Sequence, residues 1–217
     1  MITENLLTTT KTARYYTLGN TENNIQNIFF VFHGYGQLAK DFIEIFNKLH
    51  NENNLIIAPE ALNKFYMRGF SGKIGSTWMT KEDRKNEIKD YVNMINNIFE
   101  EISKDMNLSK VSINVLGFSQ GTHTAVRWLN SSKIKIDKLI LWSGTFPHDI
   151  DYLANHNYWK NFNTKIVIGN KDKFISKEKL KDEISFMNKN QLIFDILEFS
   201  GKHEIPEEIL RNIYSEI

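Results

Sequence analysis

Three residues of this chain have the types and the spacing to serve as a nucleophile, its base and the carboxylate that orients the base. Ser119 stands in Gly117-Phe118-Ser119-Gln120-Gly121, Asp172 in Gly169-Asn170-Lys171-Asp172, and His203 in Ser200-Gly201-Lys202-His203-Glu204. A serine hydroxyl is a poor nucleophile at neutral pH, so a histidine must take its proton and a carboxylate must fix the imidazole tautomer. Such a set performs acyl transfer. The five letters around Ser119 are a weak signal alone, but they follow the apolar run Val111 to Leu116 and open a helical pattern. In that strand–turn–helix setting the serine occupies a strained turn, and the glycines two before and two after it let strand and helix approach. The bland alternative is a glycine-rich turn with a helix-capping serine.

The order serine, acid, histidine is the one expected for such an elbow, and Asp172 and His203 follow predicted strands, at the edge where ligands of open α/β sheets gather. Their rivals fit less well. Asp149 and Asp151 lie one strand too early, and Asp195 falls inside a strand. His33, His50 and His156 precede or miss the expected loops, and His123, one helical turn beyond Ser119, sits where its ring cannot easily reach a side chain aimed off the turn. His33-Gly34-Tyr35-Gly36-Gln37 follows the apolar run Asn27 to Phe32. A backbone N–H there, that of Tyr35, would join the N–H of Gln120 as an oxyanion hole. Its alternative is a plain glycine turn.

These groups must be held by a sheet. Short apolar runs alternate with amphipathic stretches, the pattern of an α/β chain with a mostly parallel sheet. The predicted strands are Arg14 to Leu18, Asn27 to Phe32, Leu55 to Ala58, Val111 to Leu116, Lys138 to Trp142, Lys165 to Ile168 and Leu192 to Glu198, with Lys64 to Met67 as a possible further piece. Ile88, Tyr91, Val92, Ile95, Phe99, Ile102 and Met106 recur at helical spacing, and Thr80 with Asp83 three residues later predicts the cap of that helix. Leu38 to Leu49, Gln120 to Leu129, Ser176 to Met187 and Pro206 to Ile217 read as further helices.

Composition narrows the chemistry. The 217 residues, 41% hydrophobic and 24% charged, are read as one domain, residues 1–217. With 27 basic against 26 acidic residues and no long like-charge run, nothing resembles a nucleic-acid or anionic-membrane binder. The absence of cysteine removes disulfides, thiol nucleophiles and thiolate metal sites. No apolar run approaches the roughly 18 residues of a membrane span, and the first residues lack the pattern of a secretory signal, so the expected location is the cytoplasm.

Taken together, His33-Gly34-Tyr35-Gly36, Gly117-Phe118-Ser119-Gln120-Gly121, Asp172 and His203 resemble the α/β-hydrolase fold and within it the phospholipase/carboxylesterase group, which includes the acyl-protein thioesterases. Ser143-Gly144-Thr145-Phe146-Pro147 is similar to that group's Ser-Gly-x-x-Pro loop. The resemblance implies a sheet of about seven strands with helices on both faces and no large cap domain. It implies serine hydrolysis of esters or thioesters with no cofactor and no metal, with Ser119 as nucleophile, His203 as base, Asp172 as acid, and the backbone of Tyr35 and Gln120 as oxyanion donors. The chain departs from the acyl-protein thioesterase pattern at Gln37, at Lys173-Phe174-Ile175-Ser176 and at Lys202, so lipidated protein is not carried over as a substrate.

The leading functional expectation is an esterase for short or medium acyl chains, acting on a small acyl ester or thioester. A lysophospholipase or small-metabolite deacylase would use the same residues, and a non-catalytic ligand-binding relative is the alternative from another class. The connection from Ala58 to Thr80 leaves the sheet on the edge of Ser119 and carries Phe65, Tyr66, Met67, Phe70, Trp78 and Met79. So long a connection is usually functional. Phe70, Trp78 and Met79 are the expected substrate contacts, with core packing as the competing reading.

Overall fold

A computed structural model describes residues 1–19 and 25–215. Among the described residues nine strands form: β1 (Tyr15–Leu18), β2 (Asn27–Phe32), β3 (Asn54–Pro59), β4 (Asn63–Arg68), β5 (Ser71–Thr77), β6 (Ser112–Phe118), β7 (Lys138–Trp142), β8 (Asn163–Gly169) and β9 (Asp195–Phe199). Seven of them make one sheet in the order β1-β3-β2-β6-β7-β8-β9, with β1 antiparallel and the others parallel. The inner strands are apolar on both faces, as strands covered on both sides must be.

Alternate residues feed two cores. Ile28, Phe30 and Phe32 of β2 face one, which also takes Ile95, Trp128 and Met187 from the helices α2 (Arg84–Ser103), α3 (Gln120–Ser132) and α5 (Lys177–Lys189). Phe29 and Val31 face the other, against Phe42 of α1 (Ala39–Ile43), Phe46 of the 3-10 turn Glu44–Leu49, and Leu210 and Ile213 of α6 (Glu207–Ser215). A short helix, α4 (His156–Trp159), contributes Trp159 to the first core. The predicted helix to Ile217 ends in residues 216–217, which lie outside the described residues. Among the described residues no helix is long and apolar enough to cross a membrane.

One predicted boundary is corrected. The long helix begins at Arg84 and not at Thr80: Asp83 at its cap has a left-handed φ of 48° and makes no side-chain cap bond. Instead the Thr80 N–H and hydroxyl both donate to Glu87 Oε2, at 2.6 and 3.2 Å, which leaves the first residues in a turn. Within the Ala58–Thr80 connection the predicted piece Lys64 to Met67 lies in β4, which pairs with β5 as an antiparallel hairpin separate from the main sheet.

Chain direction across the sheet reverses between β2 and β6, since β3 lies on one side of β2 and β6 on the other. In open α/β sheets the crevice at such a switch point collects ligands. Phe32 is in register with Gly117, so the turns that follow β2 and β6 leave the sheet side by side.

Candidate active site

Ser119 occupies the turn between β6 and α3 with φ 54° and ψ −117°, a conformation costly for a residue with a side chain. Its neighbours explain how the turn is sustained. A Cβ on Gly117 would lie 2.6 Å from the Gly121 carbonyl carbon, and one on Gly121 would lie 2.7 Å from that of Phe32, so only glycine lets α3 descend onto the strands here. The Ser119 N–H donates to the Trp142 carbonyl at 2.8 Å, and the Ser119 carbonyl accepts from the Thr122 hydroxyl at 2.8 Å. The elbow is thus fastened to β7 and to its own helix.

Asp172 and His203 meet as their positions after β8 and β9 predict. Gly169 pairs with Phe199 in register, and beyond the strands the Lys171 N–H donates to the Gly201 carbonyl at 2.8 Å, so the acid and histidine loops are laced together. His203 Nδ1 donates to Asp172 Oδ2 at 2.7 Å, while the other oxygen, Oδ1, accepts from the Phe174 N–H at 2.8 Å. The Asp172 side chain is fully buried and the His203 ring is 21% exposed. With Nδ1–H committed to the carboxylate, Nε2 is left with its lone pair free to accept a proton. The imidazole lies between the rings of Phe118 and Phe174, at centroid distances of 4.9 and 4.7 Å, and Phe118 directly precedes Ser119. Among the described residues Ser119 Oγ and Nε2 form no hydrogen bond; such bonds commonly tighten only when substrate binds.

The rival acids are engaged elsewhere. Asp149 is held by Arg127, whose Nη2 lies 2.9 Å away, and by Arg84 at 3.3 Å; burial pushes its pKa up, but the Arg127 hydrogen bond and charge outweigh this and hold it below the usual carboxylate range. Asp151 accepts from the Ala154 N–H. Among the histidines, His33 is fully buried and stacks on Trp78, and burial lowers its pKa to about 4. Its Nδ1 donates to the Gly34 carbonyl and its Nε2 accepts from the Ala61 N–H, so it is a neutral brace under the first turn. His123 is also held neutral, with a pKa lowered to about 4 by burial first and by the Arg127 charge second.

The turn Gly34–Gln37 lies against the elbow, for a Cβ on Gly34 would come 3.2 Å from Ser119 Cβ. The N–H groups of Gly34, Gly36, Gln37 and Ser119 all have protein acceptors, whereas among the described residues those of Tyr35 and Gln120 have none. Two unclaimed N–H groups therefore flank the elbow.

The expected substrate contacts separate. Trp78 is 1% exposed, its Nε1 donates to the His33 carbonyl at 2.9 Å, and its ring packs on Phe32, His33 and Tyr91. This corrects the expectation that Trp78 faces an acyl chain, because a ring enclosed on all sides has no surface to offer one. Phe70 stands 99% exposed at the tip of the hairpin, and Met79 is half-buried below the elbow. Closer to the turn are two other side chains that the connection carries: the Phe65 ring lies 5.1 Å from that of Tyr35, and Met67 packs over Gly36 and Gly75. Among the described residues no three His, Asp or Glu side chains are grouped to hold a metal ion.

A model of the phospholipase/carboxylesterase family matches residues 16–217. The chain belongs to the phospholipase/carboxylesterase family. It is accordingly a hydrolase of the carboxylesterase type, and the sheet order and flanking helices are those of the α/β-hydrolase fold. No curated protein matches the chain. Among solved structures, acyl-protein thioesterase 2 of Zea mays is similar at TM-score 0.69 and 14% identity, over 94% of this chain and 97% of that one. A carboxylesterase of Mesorhizobium loti aligns at TM-score 0.69 and 14% identity over 94% of both chains. A phospholipase/carboxylesterase of Dyadobacter fermentans aligns at TM-score 0.61 and 17% identity, over 95% of this chain and 97% of that one. At such identities the likeness is one of fold, and the family's chemistry must be argued from the residues of the site.

Proposed function

We propose that the protein hydrolyses carboxylic esters or thioesters of short or medium acyl chains through an acyl-enzyme on Ser119. The observation that carries this reading is the 2.7 Å bond from His203 Nδ1 to a fully buried Asp172, with the imidazole packed on the residue before Ser119. Ser119 Oγ attacks the substrate carbonyl carbon while His203 Nε2 takes its proton, and Asp172 stabilises the imidazolium. The Tyr35 and Gln120 N–H groups receive the developing oxyanion, and collapse of the adduct expels an alcohol or thiol that takes the proton back from His203. Water then repeats the sequence on the acyl-enzyme, releasing the carboxylic acid and Ser119. Phe65, Met67 and Met79 supply apolar contact without needing an ion partner, which suits an acyl chain.

A fluorophosphonate probe tests this, because only an activated serine labels rapidly. Wild type should label and hydrolyse p-nitrophenyl butyrate, and Ser119→Ala should do neither. The Ser119→Ala/His203→Ala double variant should be little worse than either single one, since residues acting as a unit are not additive. Losses that multiply would show that the two do not form one machine.

A further inference from the structure

The hairpin that was expected to hold substrate makes its best-defined contacts with the backbone of the site. At the end of β5, the Gly36 N–H donates to the Ser76 carbonyl at 2.8 Å, while the Ser76 N–H and hydroxyl both donate to the Gln37 carbonyl, at 3.2 and 2.8 Å. These three bonds hold the two residues that directly follow Tyr35, one of the two residues with an unclaimed N–H. The next three residues bind the other one. The Trp78 N–H donates to Gln120 Oε1 at 3.1 Å, and Gln120 Nε2 donates to the Met79 carbonyl at 2.9 Å and to Thr77 Oγ1 at 3.0 Å. Since the Trp78 N–H can only donate and the Met79 carbonyl only accept, the carboxamide has one orientation. It extends the pairing of β5 as a further strand residue would.

We propose that the Gln120 side chain is a positioning residue for the oxyanion hole. By fastening the first residue of α3 to Thr77, Trp78 and Met79, it fixes the Gln120 N–H relative to the turn that carries the Tyr35 N–H, whose next two residues are held by Ser76 of the same segment. One stretch, Ser76 to Met79, thus sets the separation of the two donors. This matters because donors stabilise an oxyanion only within a narrow range, about 2.7 to 3.1 Å, and a displacement of a few tenths of an ångström is felt. Among the described residues the other side-chain bond made at Gln120 is the longer one from the Thr124 hydroxyl to the Gln120 carbonyl, 3.4 Å and within α3 itself, while further bonds of the elbow run through Ser119 and Thr122.

The inference rests on the serine-hydrolase reading, and the test separates the two. Gln120→Met keeps the length of the side chain and removes its polar atoms, Gln120→Glu keeps the acceptor for Trp78 and loses both donors, and Thr77→Val removes one partner without touching the elbow. Each is measured for kcat and KM on p-nitrophenyl butyrate, for inhibition by an alkyl trifluoromethyl ketone, which forms a tetrahedral oxyanion on the serine, and for Tm. Gln120→Met should lose about 10- to 100-fold in kcat, short of the loss from deleting an oxyanion donor outright. Its KM should stay within about twofold, and ketone affinity should fall by the same factor as kcat. Gln120→Glu and Thr77→Val should fall between this variant and wild type. Unchanged kcat and ketone affinity in a folded Gln120→Met would overturn the proposal, as would losses that follow Tm alone. If Gln120→Met does not fold, wild-type kcat and ketone affinity in Thr77→Val would overturn it equally. Failure of the ketone to inhibit wild type would instead remove the serine-hydrolase reading, and this inference with it.

Discussion

Asp172 shows how much one carboxylate can be asked to do. Its two oxygens each meet an N–H, one from His203 and one from the Phe174 backbone, and no water reaches them. An asparagine in its place has one accepting oxygen and one donating nitrogen, so one of those N–H groups must face another donor. The Phe174 N–H cannot surrender its proton and the imidazole can, so the arrangement is relieved when the amide oxygen accepts from Phe174, its NH2 donates to Nδ1, and the imidazole proton moves to Nε2, the nitrogen that must accept from Ser119. Asp172→Asn should therefore lower turnover by on the order of 10⁴. The loss of one buried hydrogen bond should cost about 1–3 kcal/mol of stability. Turnover of p-nitrophenyl butyrate and urea unfolding of the same preparation check both, and wild-type turnover would move the acid to another residue. The three side chains could be picked from the sequence because each follows a predicted strand. The same reasoning sets Asp149 aside as lying one strand too early, but its commitment to Arg127 was not legible, because that bond joins residues 22 apart on different elements.

At the scale of elements, the sheet and its helices were legible because their apolar patterns are long and regular, whereas of the hairpin only the first arm was, as Lys64 to Met67. β5 reads Ser-Gly-Lys-Ile-Gly-Ser-Thr, with two glycines and one branched apolar residue, and only pairing with β4 and docking on the Gly34–Gln37 turn make it a strand. For the same reason Trp78 reads first as a substrate contact, with core packing only as the competing reading: nothing local says that residues 76–79 turn under His33. The buried position predicts a particular outcome. Trp78→Ala should destabilise the protein by about 3–5 kcal/mol, as large-to-small core changes do. Activity surviving in the folded fraction should fall by the same factor for acetate, butyrate and hexanoate esters. A loss that grows with chain length would return Trp78 to the acyl pocket. Phe70→Ala, at the exposed tip, should stay within about 0.5 kcal/mol of wild type by urea unfolding.

Across the whole molecule, charge is nearly balanced, so its response to pH depends on a few buried groups more than on net charge. Two of them are imidazoles kept neutral. His33 and His123 each have a folded pKa lowered to about 4, His33 by burial and His123 by burial and then Arg127, against an ordinary value of about 6.5 in the unfolded chain. Between those values the unfolded chain binds protons that the folded one refuses, so stability is full above about pH 6.5 and is lost as pH falls toward 4. For His33, whose Nε2 must accept from the Ala61 N–H, the loss amounts to roughly 3 kcal/mol. The carboxylates act in a lower window. Glu60 is pushed up by burial but held low by its hydrogen bonds to Lys64 and Arg14 and by their charges, so its contribution is lost only as pH falls below the ordinary carboxylate range. The two windows predict a decline that begins with the histidines, well before carboxylates protonate. Urea unfolding at pH 7, 5.5 and 4.5 should show stability falling at each step, and ring-nitrogen NMR should find His33 neutral with the proton on Nδ1 at all three. Titration of His33 near 6.5, or a stability flat down to pH 4.5, would mean that the ring is not sealed beneath the site and that the first turn lacks the brace assigned to it.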